Sequence, residues 1–189
     1  SSAASDVYKR QSMDDAIEAV KDFQSVPGRF ELIDEGQSFA VVVDYAHTPD
    51  GLEKILGTAR EITEGKIIAV FGCGGDRDRM KRPIMGSIAA EHADISIVTS
   101  DNPRTEDPEK IIEDVVVGVE KVKKNKPDLY YEVIADRRQA IKRAVSLAKD
   151  DDIVIIAGKG HEDYQVLSGN EHIHFDEREI VSEGLKLIN

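Results

Sequence analysis

The residues best suited to chemistry fall in four short stretches, each set between an apolar run and a helical pattern. The first, Val43-Asp44-Tyr45-Ala46-His47-Thr48-Pro49-Asp50, brings a carboxylate, a phenol and an imidazole together. Loops held by a rigid scaffold carry function disproportionately, so Asp44 and His47 are candidates to touch a ligand. Capping of the following helix by Thr48 or Asp50 accounts for part of the same pattern. The second stretch, Phe71 to Pro83, holds Gly72, Gly74 and Gly75 and then a basic cluster: four of the six residues from Arg77 to Arg82 are cationic. Glycines let the backbone approach an anion, and local cations in an acidic chain point to a bound phosphate or carboxylate. The plainer reading is a solvated glycine turn balanced by Asp76 and Asp78. Neither a G-x-x-x-x-G-K-[ST] loop nor a G-x-G-x-x-G turn occurs, since position 77 is arginine.

The third stretch, Thr99 to Pro108, contains Asp101-Asn102-Pro103-Arg104. Pro103 forces Asn102 to be extended, and Arg104 offers a planar fork suited to a carboxylate. Asn-Pro is also a common turn dipeptide. The fourth, Ala157-Gly158-Lys159-Gly160-His161-Glu162-Asp163-Tyr164, leaves room for a ligand beside small residues, and Glu162 is placed to accept an ammonium group. His161, His172 and His174 make only a weak metal signal without an assembled ligand set, and the last two read as surface or cap residues. Cys73 reads as a small packed residue, with no neighbouring base to activate it.

Alternating elements must position these stretches. Apolar, β-branched runs at Phe39–Val43, Ile67–Phe71, Ile95–Val98, Tyr130–Ile134 and Ile153–Ala157 predict strands buried on both faces of a parallel sheet. Between them, Leu52, Ile55, Leu56, Ala59 and Ile62 repeat at helical spacing behind a capping-box-like Asp50 and Glu53. Ile84, Ile88 and Ala89 predict a shorter helix; Ile112, Val115, Val116 and Val119 another; and Ile141, Ala144, Val145 and Ala148 a third behind Asp136 and Gln139. Glu171–Phe175 is expected as an antiparallel edge strand before a last helix from about Asp176. This alternation predicts a doubly wound, mostly parallel, Rossmann-like α/β sheet with ligands at the carboxyl ends of its strands. Upstream, residues 13–23 have helical spacing that ends at Val26-Pro27-Gly28. The polar start, residues 1–11, fits neither element and reads as non-native.

Composition narrows the classes. The 189 residues carry 25 Lys+Arg against 37 Asp+Glu, a formal charge of −12 that argues against broad nucleic-acid binding or attraction to anionic membranes. With 40% hydrophobic and 33% charged residues, the chain reads as globular rather than disordered. One cysteine excludes an internal disulfide. No apolar run nears the roughly 20 residues that span a bilayer. A soluble, cytoplasmic protein is expected, and nothing in the sequence points to an obligate protein partner.

Five blocks in order, Pro27-Gly28-Arg29-Phe30-Glu31, Asp44-Tyr45-Ala46-His47-Thr48-Pro49, Gly72–Arg77, Asp101-Asn102-Pro103-Arg104 and Gly158–Tyr164, resemble the C-terminal portion of the Mur ligases, most closely their diaminopimelate-adding branch. The resemblance runs from about Val26 to Tyr164. It implies a cytoplasmic enzyme of cell-wall precursor synthesis that uses ATP and magnesium to form an acyl phosphate, which an incoming amine then attacks. By resemblance, Arg29 and Asp44 contact ATP, with Tyr45 and His47 on the adenosine side. Arg77, Asp101, Asn102, Pro103, Arg104, Gly158 and Glu162 hold meso-diaminopimelate. The residues fit that ligand, whose carboxylates need cations and whose distal ammonium needs an anion or carbonyls.

Lysine-adding relatives do not keep the arginine of the Asp-Asn-Pro-Arg motif. Stranding a buried arginine costs on the order of 2–5 kcal/mol, so Arg104 favours diaminopimelate over lysine. The resemblance further implies that the family's phosphate-binding loop, magnesium ligands, modified lysine and site for UDP-N-acetylmuramoyl-dipeptide lie in domains outside this sequence. Residues 1–26 are then the edge of the central ATPase domain plus the non-native stretch, and 27–189 the C-terminal domain, inactive as a ligase alone. A lysine-adding or folylpolyglutamate-type ligase, and a non-catalytic scaffold module, are the competing readings.

Overall fold

The computed structural model describes residues 26–188; the helix expected over 13–23 and the polar start lie outside the described residues. Six strands form one sheet in the order β1 (Glu31–Ile33), β2 (Ala40–Asp44), β6 (Ile153–Ala157), β3 (Ile67–Phe71), β4 (Ile95–Val98), β5 (Tyr130–Val133). All neighbours are parallel except β1, which runs antiparallel to β2 with Leu32 opposite Val42. In register, Val42 faces Ile155 and Ala69 faces Ile155 from the other side, so β6 lies between β2 and β3.

Side chains alternate along each strand, and both sets are buried. Ala40, Val42, Ile67, Ala69, Phe71, Ile153 and Ile155 meet α1 (Pro49–Ile62), α2 (Lys81–His92) and α3 (Pro108–Lys123) on one face. Val41, Val43, Ile68, Val70, Ile97, Val154 and Ile156 meet α4 (Arg137–Leu147) and α5 (Glu177–Ile188) on the other. Burial on both faces is why these strands read as continuous apolar runs. The doubly wound sheet expected from the alternation is the one observed.

Three expectations are corrected. β5 is an edge strand with exposed Tyr130 and Val133, paired on one side only, with β4, among the described residues. The antiparallel edge of the main sheet is β1; residues 171–175 instead supply β8 (His172–His174), which pairs with β7 (Tyr164–Val166) in a separate hairpin. On α2, Ile84 is exposed, and the buried face is Arg82, Met85, Gly86, Ala89 and Ala90. Small residues win there because α2 lies very close to α3: a Cβ on Gly118 would sit 1.8 Å from the Pro83 carbonyl oxygen.

The caps explain the helix starts. Thr48, not Asp50, caps α1 by accepting from the Gly51 N–H, with Pro49 and Asp50 in the first turn. Asp136 caps α4 by accepting from the Gln139 N–H, as the sequence suggested. Among the described residues, no helix is long and apolar enough to cross a membrane.

Candidate functional site at the carboxyl edge of the sheet

The loops after β2, β6, β3 and β4 leave adjacent parallel strands at the same end, so the four chemistry-bearing stretches share one edge. The loop after β6 divides it in two.

On the β2 side, Tyr45 lies between two imidazoles. Its ring centroid is 4.7 Å from that of His47, edge-on, and 5.4 Å from that of His161. His47 is held by an Nδ1 hydrogen bond to the Tyr45 carbonyl (2.9 Å), and Lys81 Nζ donates to the His47 carbonyl (2.7 Å). Asp44 is a bracket: one carboxylate oxygen accepts from the Phe30 N–H and the other from the Ala46 N–H, at 2.7 and 2.8 Å. It ties the turn carrying exposed Arg29 to the start of the β2 loop. Gly160 closes this junction at φ 55°, where an added Cβ would stand 2.6 Å from the Gly28 carbonyl oxygen and 2.8 Å from Tyr45 Cβ. No L side chain other than glycine's hydrogen fits that gap without displacement.

On the β4 side the construction is ionic. Lys159, fully buried, donates from Nζ to Asn102 Oδ1 (2.6 Å) and to the Tyr164 carbonyl (3.0 Å), and lies 3.3 Å from Asp101 and 3.6 Å from Glu162. Beneath it, buried Arg137 pairs with buried Glu177 (2.7 Å) and donates to the Ala157 carbonyl at the end of β6. Burial alone would push the Asp101 carboxyl up, but the Lys159 and Arg137 cations hold it below the usual range. Burial does push the Glu177 carboxyl up; Arg137 opposes the rise, while the Asp101 charge adds to it.

The β7–β8 hairpin clamps the Asp101–Arg104 loop through Gln165 Nε2 to the Asp101 carbonyl (2.6 Å), the Val166 N–H to Asn102 Oδ1 (2.9 Å) and the Gly169 N–H to the Arg104 carbonyl (3.0 Å). Arg104 is left-handed at φ 56°, and its Nη1 donates to the Gly75 carbonyl (2.8 Å). The Gly75 N–H returns a bond to the Asn102 carbonyl, so the β3 and β4 loops interlock with Pro103 buried between them.

The basic run divides sharply. Arg82 is fully buried in a bidentate pair with Glu106 (2.8 and 3.0 Å) and a bond to Asp114 (2.9 Å), and Arg79 reaches the same aspartate. Arg77 stays exposed and, among the described residues, bonds only the Asp76 carbonyl. Of the ten arginines among the described residues, seven are paired with carboxylates; the three without such a partner are Arg29, Arg77 and Arg104. Those are the three that the sequence motifs single out.

Lys159, Gln165, Arg137 and Glu177 received no role from the sequence. The signal available for Lys159 was a lysine between two glycines directly after a fully apolar strand, a place where a charge must be buried and paired. Cys73 is buried beside Met85, and burial pushes its thiol up to about 12, in keeping with a packed rather than nucleophilic residue. His172 stacks on Tyr164 and His174 bonds Glu179, both at the surface. Among the described residues, no group of three or more His, Cys, Asp or Glu is arranged to hold a metal ion.

Fold and site together define an open α/β domain whose carboxyl edge has two unlike halves. A family model described as "Mur ligase, glutamate ligase domain" matches residues 28–160, and the chain belongs to that family. The UDP-N-acetylmuramoyl-L-alanyl-D-glutamate–2,6-diaminopimelate ligase of Clostridium botulinum is 54% identical over 173 residues, 90% of this chain and 34% of that protein. The ligase of the same name from Syntrophomonas wolfei is 55% identical over 163 residues, covering 86% of this chain and 32% of that one. A solved structure of a ligase of this name superposes with a TM-score of 0.78 at 40% identity, covering 94% of this chain and 35% of that one. The chain thus spans about a third of the length of these relatives.

Proposed function

We propose that residues 27–189 are the amino-acid-receiving C-terminal domain of an ATP-dependent ligase that adds meso-diaminopimelate to UDP-N-acetylmuramoyl-L-Ala-D-Glu. The observation that carries this reading is the set of unpaired arginines. Arg77 and Arg104 stand on interlocked loops, while Arg79 and Arg82 of the same basic run have carboxylate partners and Lys81 donates to the His47 carbonyl. An amino acid with two carboxylates and two ammonium groups answers that pattern; lysine, lacking the distal carboxylate, leaves an arginine without its counter-ion. The names of the relatives support diaminopimelate over the lysine-adding and folylpolyglutamate readings.

On the β2 side, Tyr45, His47 and the guanidinium of Arg29 are the groups that would hold ATP. The half-buried rings suit a nucleoside face, and the exposed guanidinium suits a phosphate. Asp44, with both oxygens already bonded to backbone N–H groups, serves this side by fixing the turn that carries Arg29. Bound ATP and magnesium supply acyl activation; the residues for the metal, the phosphates and the nucleotide-sugar dipeptide belong to the remainder of the ligase. Location in the cytoplasm, where nucleotide-linked precursors are made, follows from this reading.

Calorimetric titration of the chain with meso-diaminopimelate and with lysine tests the proposal. Diaminopimelate should bind more tightly by roughly 100-fold or more, and Arg104→Ala should remove most of that difference while leaving ATP affinity within about twofold. Equal affinity for the two amino acids overturns the substrate assignment. ATP-dependent ligation by the 189-residue chain alone overturns its reading as one domain of a larger ligase.

A further inference from the structure

Lys159 is too deep to touch a ligand: its side chain is fully buried, yet Nζ reaches three site residues at once. Its bond to Asn102 Oδ1 is short, and the same oxygen accepts from the Val166 N–H. Two donors therefore fill the two lone pairs of that amide oxygen. Rotating the Asn102 amide by 180° would set its NH2 against an ammonium and an N–H, two donor–donor clashes in a buried place. The amide is locked with Nδ2 toward Glu162, where one N–H donates to Glu162 Oε2 (3.3 Å) and the second is the one a ligand could take. The same glutamate oxygen lies 3.6 Å from Lys159 Nζ, which leaves Oε1 as the acceptor.

We infer that Lys159 is a positioning residue: its buried ammonium fixes Asn102 as a donor and Glu162 as an acceptor, side by side, so that the pair reads an ammonium and a carboxylate carried on one carbon. The inference rests on the amino-acid reading proposed above for the occupant, and on contacts within the chain for the positioning itself. Asp101 offsets the lysine charge from the far side, and Gln165 holds the Asp101 carbonyl, so neither loop can follow the ligand by reorienting alone. A lysine that merely filled space would be replaced by methionine with no change in which way the amide faces.

The test uses the 189-residue chain and its Lys159→Met variant, each labelled with 15N-asparagine, which gives only four side-chain amides. In the unsubstituted chain, the Asn102 amide protons should exchange with water roughly tenfold or more slowly than those of exposed Asn125 and Asn170. In Lys159→Met that protection should fall by a similar factor. In parallel, meso-diaminopimelate is compared with pimelate, the same dicarboxylate without amines. The unsubstituted chain should prefer diaminopimelate, Lys159→Met should lose roughly 10- to 100-fold of that preference, and ATP affinity should stay within about twofold. An Asn102 signal and a ligand preference both unchanged in the variant overturn the inference, as does an equal weakening of all three ligands. Should Lys159→Met not fold, an Asn102 amide exchanging as fast as Asn125 in the unsubstituted chain overturns it, and slow exchange supports it. Failure of the unsubstituted chain to bind diaminopimelate counts against the amino-acid reading, while the Asn102 signals still decide the role of Lys159.

Discussion

On the β2 side of the edge the loops are built on rings and main-chain amides; on the β4 side they are built on buried ions. Tyr45, His47 and Arg29 reach solvent from a turn fastened by Asp44, with glycine contacts supplying the fit. Asp101, Lys159, Arg137 and Glu177 instead lie inside the protein and pair with one another beneath the exposed groups. The first construction depends on shape, so it is sensitive to added atoms. The second depends on charge balance, so it is sensitive to removing one partner.

The largest test of that contrast is Arg137→Met, which strands the Glu177 carboxylate in a dry site. It should lower stability by about 3–5 kcal/mol in urea unfolding, and adding Glu177→Met should recover most of the loss. A single-variant cost below about 1 kcal/mol would break the claim that the β4 side stands on paired ions. Next, Gly160→Ala should cost about 2–4 kcal/mol from the left-handed backbone and the contacts with Gly28 and Tyr45. Intact amino-acid binding beside weakened ATP binding in that variant would sharpen the division at the β6 loop.

A smaller effect concerns acid. The Arg82 guanidinium and the Asp76 N–H hold the Glu106 carboxyl down at about 2, against an ordinary 4.5. A depressed carboxyl contributes stability that is complete above about 4.5 and lost as pH falls toward about 2. With solvent screening the contribution is about 1–2 kcal/mol, and Glu106→Gln should flatten the stability profile across that window. The smallest expected effect is Thr48→Ala, about 1 kcal/mol from loss of the α1 cap, with little change at either half of the edge.

The sheet was largely legible because strands buried on both faces leave continuous β-branched runs; Ile67–Phe71, Ile95–Val98 and Ile153–Ala157 match their observed bounds. β1 was not, since three half-buried residues, Glu31 to Ile33, carry too little pattern to separate from a turn. The hairpin was misplaced because an alternating His-Ile-His segment states that a strand exists but not which edge it joins. At the edge, motif order singled out the open arginines. The basic run alone did not separate Arg77 from Arg82, because sequence shows charge and not the Glu106 and Asp114 partners brought in from α3 and the loop before it. For the same reason the sequence assigned no role to Lys159 and Arg137, which the structure buries.

The loop after β6 is a party wall. Within the span from Gly158 to Glu162, Gly160 and His161 press on Gly28 and Tyr45, while Lys159 and Glu162 hold Asp101 and Asn102. Different residues of one short span thus serve the two tenants, and what both would feel is a change in the length or path of the wall itself. Changes in length are free of that constraint in the outer loops, around Arg29 on one side and Arg77 on the other.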